Sequence, residues 1–259
     1  MKKLTYLLVL IITFSCTNKK PTTFKSPKIT QIVNYLDSLD RFSGAILIAK
    51  NNNILFKKAY GYAHIGHKIK NNTETKFNQG SIGKSFTAVA ILQLIQEGKL
   101  SLQDNIGKFI PNYPNKTVRD SVTIAHLLTH TSGLTHFFVR KSFIEGSKDL
   151  YRFSKDFSSL YENEPMEYKP GETFSYRNTN YVILGRIIEA ISGKEYNTYL
   201  EDNIYSKASM KNTDNYHLDH PIENAAEGYT VSDIYPNKLK INFHTYPVRG
   251  GAHGADIPP

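Results

Sequence analysis

Apolar positions recur at helical spacing over residues 29–39 (Ile29, Ile32, Val33, Leu36, Leu39), which predicts an amphipathic helix. Two strand-like runs follow, 44–49 and 54–61. The Asn51-Asn52-Asn53 segment between them tolerates left-handed backbone, so the pair reads as a hairpin. Residues 86–98 are apolar on most of the helix circumference and end at Gly98, the pattern of a buried helix with a glycine cap. From residue 81 to 205 the pattern is mainly helical with long loops, and 182–192 reads as a second clear helix closed by Gly193.

The N-terminus follows a different logic. Lys2 and Lys3 precede an apolar stretch, residues 4–14, that is too short to cross a bilayer as a helix, so residues 1–15 read as a signal peptide. Ser15-Cys16 comes next, and Cys16 is the only cysteine of the chain. A small residue before a lone cysteine resembles a bacterial lipoprotein processing site, with Cys16 as the acylated first residue of a membrane-anchored periplasmic protein. A plain secretory peptide is the alternative. Both predict export, and a single cysteine allows no internal disulfide. Residues 16–27, rich in Lys, Thr, Asn, Ser and Pro, read as a tether, and 28–259 as one domain.

Composition narrows the class. The 259 residues are 40% hydrophobic and 21% charged, as in a globular chain with room for one large domain. The formal charge is +9, but the lysines are scattered rather than gathered into a stripe. This excludes a nucleic-acid module, and charge assigns no partner.

The candidate chemistry lies at Ser81-Ile82-Gly83-Lys84, the one S-x-x-K tetrad in the chain. A serine hydroxyl is a weak nucleophile and needs a base within hydrogen-bond reach. Residues three apart on a helix share a face, so Lys84 can lie beside Ser81. Burial would favour the neutral amine that a base requires, and a helix start would offer backbone N–H groups to an oxyanion. Taken alone, the tetrad is equally an ordinary polar helix start.

Its surroundings change that. Phe77-Asn78-Gln79-Gly80-Ser81-Ile82-Gly83-Lys84-Ser85-Phe86-Thr87-Ala88 is followed by Gly98-Lys99-Leu100-Ser101-Leu102-Gln103-Asp104. Next comes His126-Leu127-Leu128-Thr129-His130-Thr131-Ser132-Gly133-Leu134. In this order they resemble the serine β-lactamase and penicillin-binding-protein superfamily, and within it the class C β-lactamase-like branch of esterases, carboxypeptidases and peptidases. The likeness runs from about Phe42 to about Asp256. It implies an α+β, β-lactamase/transpeptidase-like fold: an antiparallel sheet flanked by helices, with an all-helical lobe inserted before the sheet is completed. It also implies a serine hydrolase forming an acyl-enzyme on Ser81. The substrate would be a small-molecule or peptidoglycan-peptide amide or ester, with no cofactor and no metal.

The family's second motif is Y-x-N, whose tyrosine sits by the nucleophile and whose asparagine holds substrate. Tyr113-Pro114-Asn115, Tyr161-Glu162-Asn163, Tyr176-Arg177-Asn178 and Tyr235-Pro236-Asn237 all fit the pattern. The flanks of Tyr176, and its place in a loop just before a helix, select Tyr176 and Asn178. Arg177 stands where a small residue is usual. Whether Lys84 or a Tyr176 phenolate is the base stays open, because phenolate formation needs a stabilising cation. His130 reads as a residue that ties down a turn. His64 and His67 lie three apart in a polar loop with no carboxylate close in sequence, and read as surface residues rather than metal ligands.

A third family element, Lys or His, a small residue and Gly, is expected after Asn178. No K-x-G or H-x-G occurs there, and Arg249-Gly250-Gly251 aligns better with a glycine-rich turn. The resemblance therefore carries two further expectations: a domain lacking its C-terminal sheet strands, and, as an alternative function, an impaired member serving as a binding lipoprotein or a non-functional fragment.

Overall fold

Pro27 opens α1 (Pro27–Ser38), where the N–H that proline lacks has no helical partner to lose. The computed structural model describes residues 27–38, 42–147, 150–217, 220–232, 238–241 and 248–249. Residues 1–26, which hold the segment read as a signal peptide, Cys16 and most of the segment read as a tether, and the run 250–256 lie outside the described residues. Only Val33 of the α1 stripe is buried, while Ile32 and Tyr35 face outward.

β1 (Gly44–Lys50) and β2 (Asn53–Tyr60) form the expected hairpin, with Gly44 opposite Tyr60 and Lys50 opposite Asn53. Asn51 and Asn52 take φ of 50° and 60°, the two left-handed residues that a tight type I′ turn requires. A second small pair follows, β3 (Tyr62–His64) with β4 (Ile69–Lys70). Late in the chain, β5 (Tyr216–His217) pairs with β8 (Val248–Arg249), and β6 (Tyr229–Val231) with β7 (Leu239–Ile241). The antiparallel sheet is thus present, among the described residues, as short two-stranded pairs.

The helical part runs between them. After a 3-10 turn, Gly80–Ile82, come α2 (Gly83–Gln96), α3 (Lys116–Ser121), α4 (Ile124–Leu128), α5 (Lys141–Glu145), α6 (Asn178–Ser192) and α7 (Tyr196–Leu200). α6 is the central element. Its Val182, Ile183, Leu184, Ile187 and Ile188 are fully buried, and it packs against α2, α4 and α7. Each such side chain contributes about 1.5–3 kcal/mol through burial. Phe137, Phe143, Tyr151 and Phe157 extend this core as an aromatic cluster.

Two predicted helices differ from expectation. α2 is not buried all round: Ala90, Ile91 and Leu94 are enclosed, whereas Val89 and Leu92 are exposed. α6, α7 and the π-helical turn Glu201–Tyr205 cover one face of it. α6 begins four residues before the apolar pattern does, at Asn178. Thr179 and Asn180 hide the helix start from a hydrophobicity reading because they are polar yet buried, with their polar atoms bonded inward to Thr135 and Ser132.

Candidate active site

Thr123 caps α4 by accepting the His126 N–H, and His126 returns the bond to the Thr123 N–H. The chain then turns sharply through His130, which adopts φ of 57°. The loop that follows lies beside the segment leading into α6: the Gly171 N–H donates to Thr131 O, and the Ser175 N–H to His130 O, both at 2.8 Å. This pairing brings Tyr176 across to Ser81, 95 residues earlier in the chain.

Ser81 sits in the 3-10 turn just ahead of α2, with its hydroxyl 2.8 Å from the Tyr176 hydroxyl. Lys84 Nζ donates to Ser81 Oγ at 3.4 Å. Lys84 is 6% exposed, and its amine faces the rings of Tyr176 and Tyr181 at 5.1 and 5.7 Å. Tyr176 keeps 41% exposure, yet partial burial raises its phenol above the ordinary value, and the bond to Ser81 only partly opposes this. The neutral phenol is therefore the resting form. The backbone donors expected at this helix start are partly taken: the Ile82 N–H bonds to Gln79 O, and the Gly83 N–H to Gly80 O and Ser81 O.

Asn178 is the first residue of α6 and is buried, and its Oδ1 has no hydrogen-bond partner among the described residues. Two of the other Y-x-N matches have structural duties among the described residues. Tyr113 is buried with its raised phenol in the core, and Asn115 caps α3 by accepting the Val118 N–H at 3.2 Å. Tyr161 is buried and takes a bond from Arg186. Tyr235-Pro236-Asn237 lies outside the described residues.

The Beta-lactamase family model matches residues 30–255. The chain belongs to the beta-lactamase family. Over 180 residues it is 36% identical to a putative penicillin-binding protein, PbpX, of Bacillus subtilis, covering 70% of this chain and 43% of that one. It is 31% identical over 206 residues to Protein flp of Staphylococcus aureus, covering 78% and 40%. Among solved structures, a penicillin-binding protein from Bacillus halodurans superposes with a TM-score of 0.76 at 32% identity, covering 85% of this chain and 66% of that one. The chain thus spans less than half the length of these curated relatives.

Sequence reasoning named Ser81, Lys84, Tyr176 and Asn178; the structure brings the first three together and sets Asn178 at the start of α6. Sequence reasoning misses the polar network behind them. The Leu134 N–H donates to Ser132 Oγ, Ser132 Oγ donates to Asn180 Oδ1 at 2.6 Å, and Asn180 Nδ2 lies 3.2 Å from His130 Nδ1. No spacing rule joins residues 132 and 180, so only the LLTHTSGL run pointed to this neighbourhood. His64 also differs from expectation. Its Nε2 lies 3.2 Å from Glu227 Oε2, a carboxylate 163 residues away, and its Nδ1 accepts the His67 N–H. Arg177 reaches back to an ion pair with Glu167.

The histidines set an acid limit. Burial, and secondarily the positive charge that Lys84 carries when protonated, pushes His130 down to about 4 from 6.5. Between those values the unfolded chain takes up a proton that the native chain refuses. Native stability therefore falls as pH falls through this window, by ~3 kcal/mol at most from this residue. His126 and His136, lowered by burial, act in the same sense. Glu189 and Asp214, raised by burial, favour the native state as acidity rises. The thermal midpoint of wild type should drop more steeply between pH 6.5 and 4 than that of His130→Asn. Parallel slopes would remove His130 from this account.

Proposed function

We propose that the chain carries the acylating machinery of a serine hydrolase, acting on an amide or ester of cell-wall-peptide or β-lactam type through an acyl–Ser81 intermediate. The observation that carries this reading is the single cluster of Ser81 Oγ, the Tyr176 hydroxyl at 2.8 Å and the buried Lys84 amine at 3.4 Å. Ser81 Oγ attacks the acyl carbon and passes its proton to neutral Lys84. The new C–O bond forms as the bond to the leaving amine or alkoxide breaks. Tyr176 gives its phenolic proton to the leaving group and regains one from Lys84. Water then releases the acyl group by the reverse relay.

The upward shift of Tyr176 supports Lys84, rather than a phenolate, as the base. Asn178, two residues after Tyr176 at the start of α6, is the residue we assign to the substrate amide. The likeness to two proteins described as penicillin-binding supports an acyl donor of that kind.

Incubated with a fluorescent penicillin, the full chain should gain the mass of one probe, mapped to the peptide that holds Ser81. An adduct on another residue would displace Ser81 as nucleophile. Saturable retention of peptidoglycan peptides, with no adduct from any acyl donor, would replace the hydrolase with a binding protein.

A further inference from the structure

The geometry points to His130 as a positioning residue that holds the Tyr176 hydroxyl on Ser81. This rests on the reading of Tyr176 as the proton relay. Three consecutive residues, 175 to 177, are fixed by this one side chain and its own carbonyl. The Ser175 N–H donates to His130 O at 2.8 Å, and the Arg177 N–H donates to His130 Nδ1 at 3.2 Å. Between those two anchors, the Tyr176 ring lies over the imidazole with centroids 4.4 Å apart and planes 37° apart. Tyr181 and Phe174 enclose the same imidazole at 5.1 and 6.1 Å.

The imidazole is itself over-determined. It is 8% exposed, on a left-handed backbone set by the tight turn after α4. Nδ1 accepts from Arg177 and faces the Asn180 amide, so the ring proton belongs on Nε2. Asn180 is held in turn by Ser132, whose hydroxyl also takes the Leu134 N–H. The Thr129-His130-Thr131-Ser132-Gly133 run and the first turn of α6 therefore form one rigid polar block, and Tyr176 stands on it with its hydroxyl at Ser81. A ring resting on a fixed ring keeps two side-chain torsions from wandering, and a displacement of about 1 Å at a relay costs roughly 100-fold in rate.

The test separates relay positioning from general support. A proton relay to the leaving group matters for a poor leaving group and little for a good one. Acyl transfer from a p-nitrophenyl ester is compared with the matching p-nitroanilide, in wild type, Tyr176→Phe and His130→Asn. Asparagine tolerates left-handed backbone and keeps an acceptor near the Nδ1 position, while removing the ring. Both variants should slow the anilide roughly 10-fold or more beyond any effect on the ester.

A Tyr176→Phe split that His130→Asn fails to share overturns the inference and leaves the relay standing. Absence of the split in Tyr176→Phe itself overturns the relay, and the inference with it. If neither substrate is turned over, a crystal structure of His130→Asn decides: a Tyr176 hydroxyl still within hydrogen-bond distance of Ser81 Oγ counts against the positioning role.

Discussion

Lys84→Met should slow acyl–Ser81 formation roughly 10³-fold or more, close to the complete loss expected for Ser81→Ala. Methionine matches the lysine stem in length and prefers a buried site, so the packing around a side chain only 6% exposed is kept. What disappears is the Lys84 amine, 3.4 Å from Ser81 Oγ. Without it the relay loses its base, because the raised Tyr176 phenol is a donor rather than an acceptor at neutral pH. The time course of adduct mass with a penicillin probe measures this, alongside a thermal melt that should move little. Acylation by Lys84→Met at the wild-type rate would return the choice of base to Tyr176. Rapid acylation by Ser81→Ala would remove the nucleophile assignment altogether.

Gly133→Ala should destabilise the chain by about 3–5 kcal/mol, more than an exposed left-handed glycine would show. Gly133 has φ of 79°, and a methyl group built there would stand 2.0 Å from the Tyr168 carbonyl oxygen. That carbonyl belongs to a segment already tied to the same turn, since the Glu167 N–H donates to Gly133 O at 2.8 Å. Relief requires the 166–168 segment to back away. It is continuous with the Gly171–Thr131 and Ser175–His130 pairing that carries Tyr176 to Ser81, so acylation should fall together with stability. Gly98→Ala is the control: its φ is 71°, but nothing lies within 4 Å of the added methyl, so only about 1–2 kcal/mol of backbone strain is expected. Denaturant midpoints of the two variants measure the difference. Equal losses would mean that the close approach to Tyr168 is slack.

Much of the local structure follows from the chain alone. The hairpin is written in two strand-like runs and a pair of asparagines that accept left-handed backbone. Helix ends at Gly98 and Gly193 follow from glycine's freedom at positive φ. The tetrad 81–84 is local too, because three residues on one helical turn meet whatever the rest of the chain does. Where periodicity misled, the cause was a buried polar residue or a one-sided neighbour. Thr179 and Asn180 hid the first turn of α6, and the apolar Val89 and Leu92 suggested a burial that the described elements do not provide.

The sequence by itself therefore determined the hairpin, the main helices and the meeting of Ser81 with Lys84, because each depends on residues within one turn or one tight loop of each other. Only the tertiary structure decided how Tyr176, selected from its flanks, reaches Ser81, why His64 finds Glu227, and that His130 braces residues 175–177. Those pairings join positions 45 to 163 apart in sequence, where no spacing constrains the approach. The packing of α4 against α6 and the bonds between the two loops beside it set the distance for Tyr176 and His130, and the Glu227 N–H bond to Ala63 O sets it for His64.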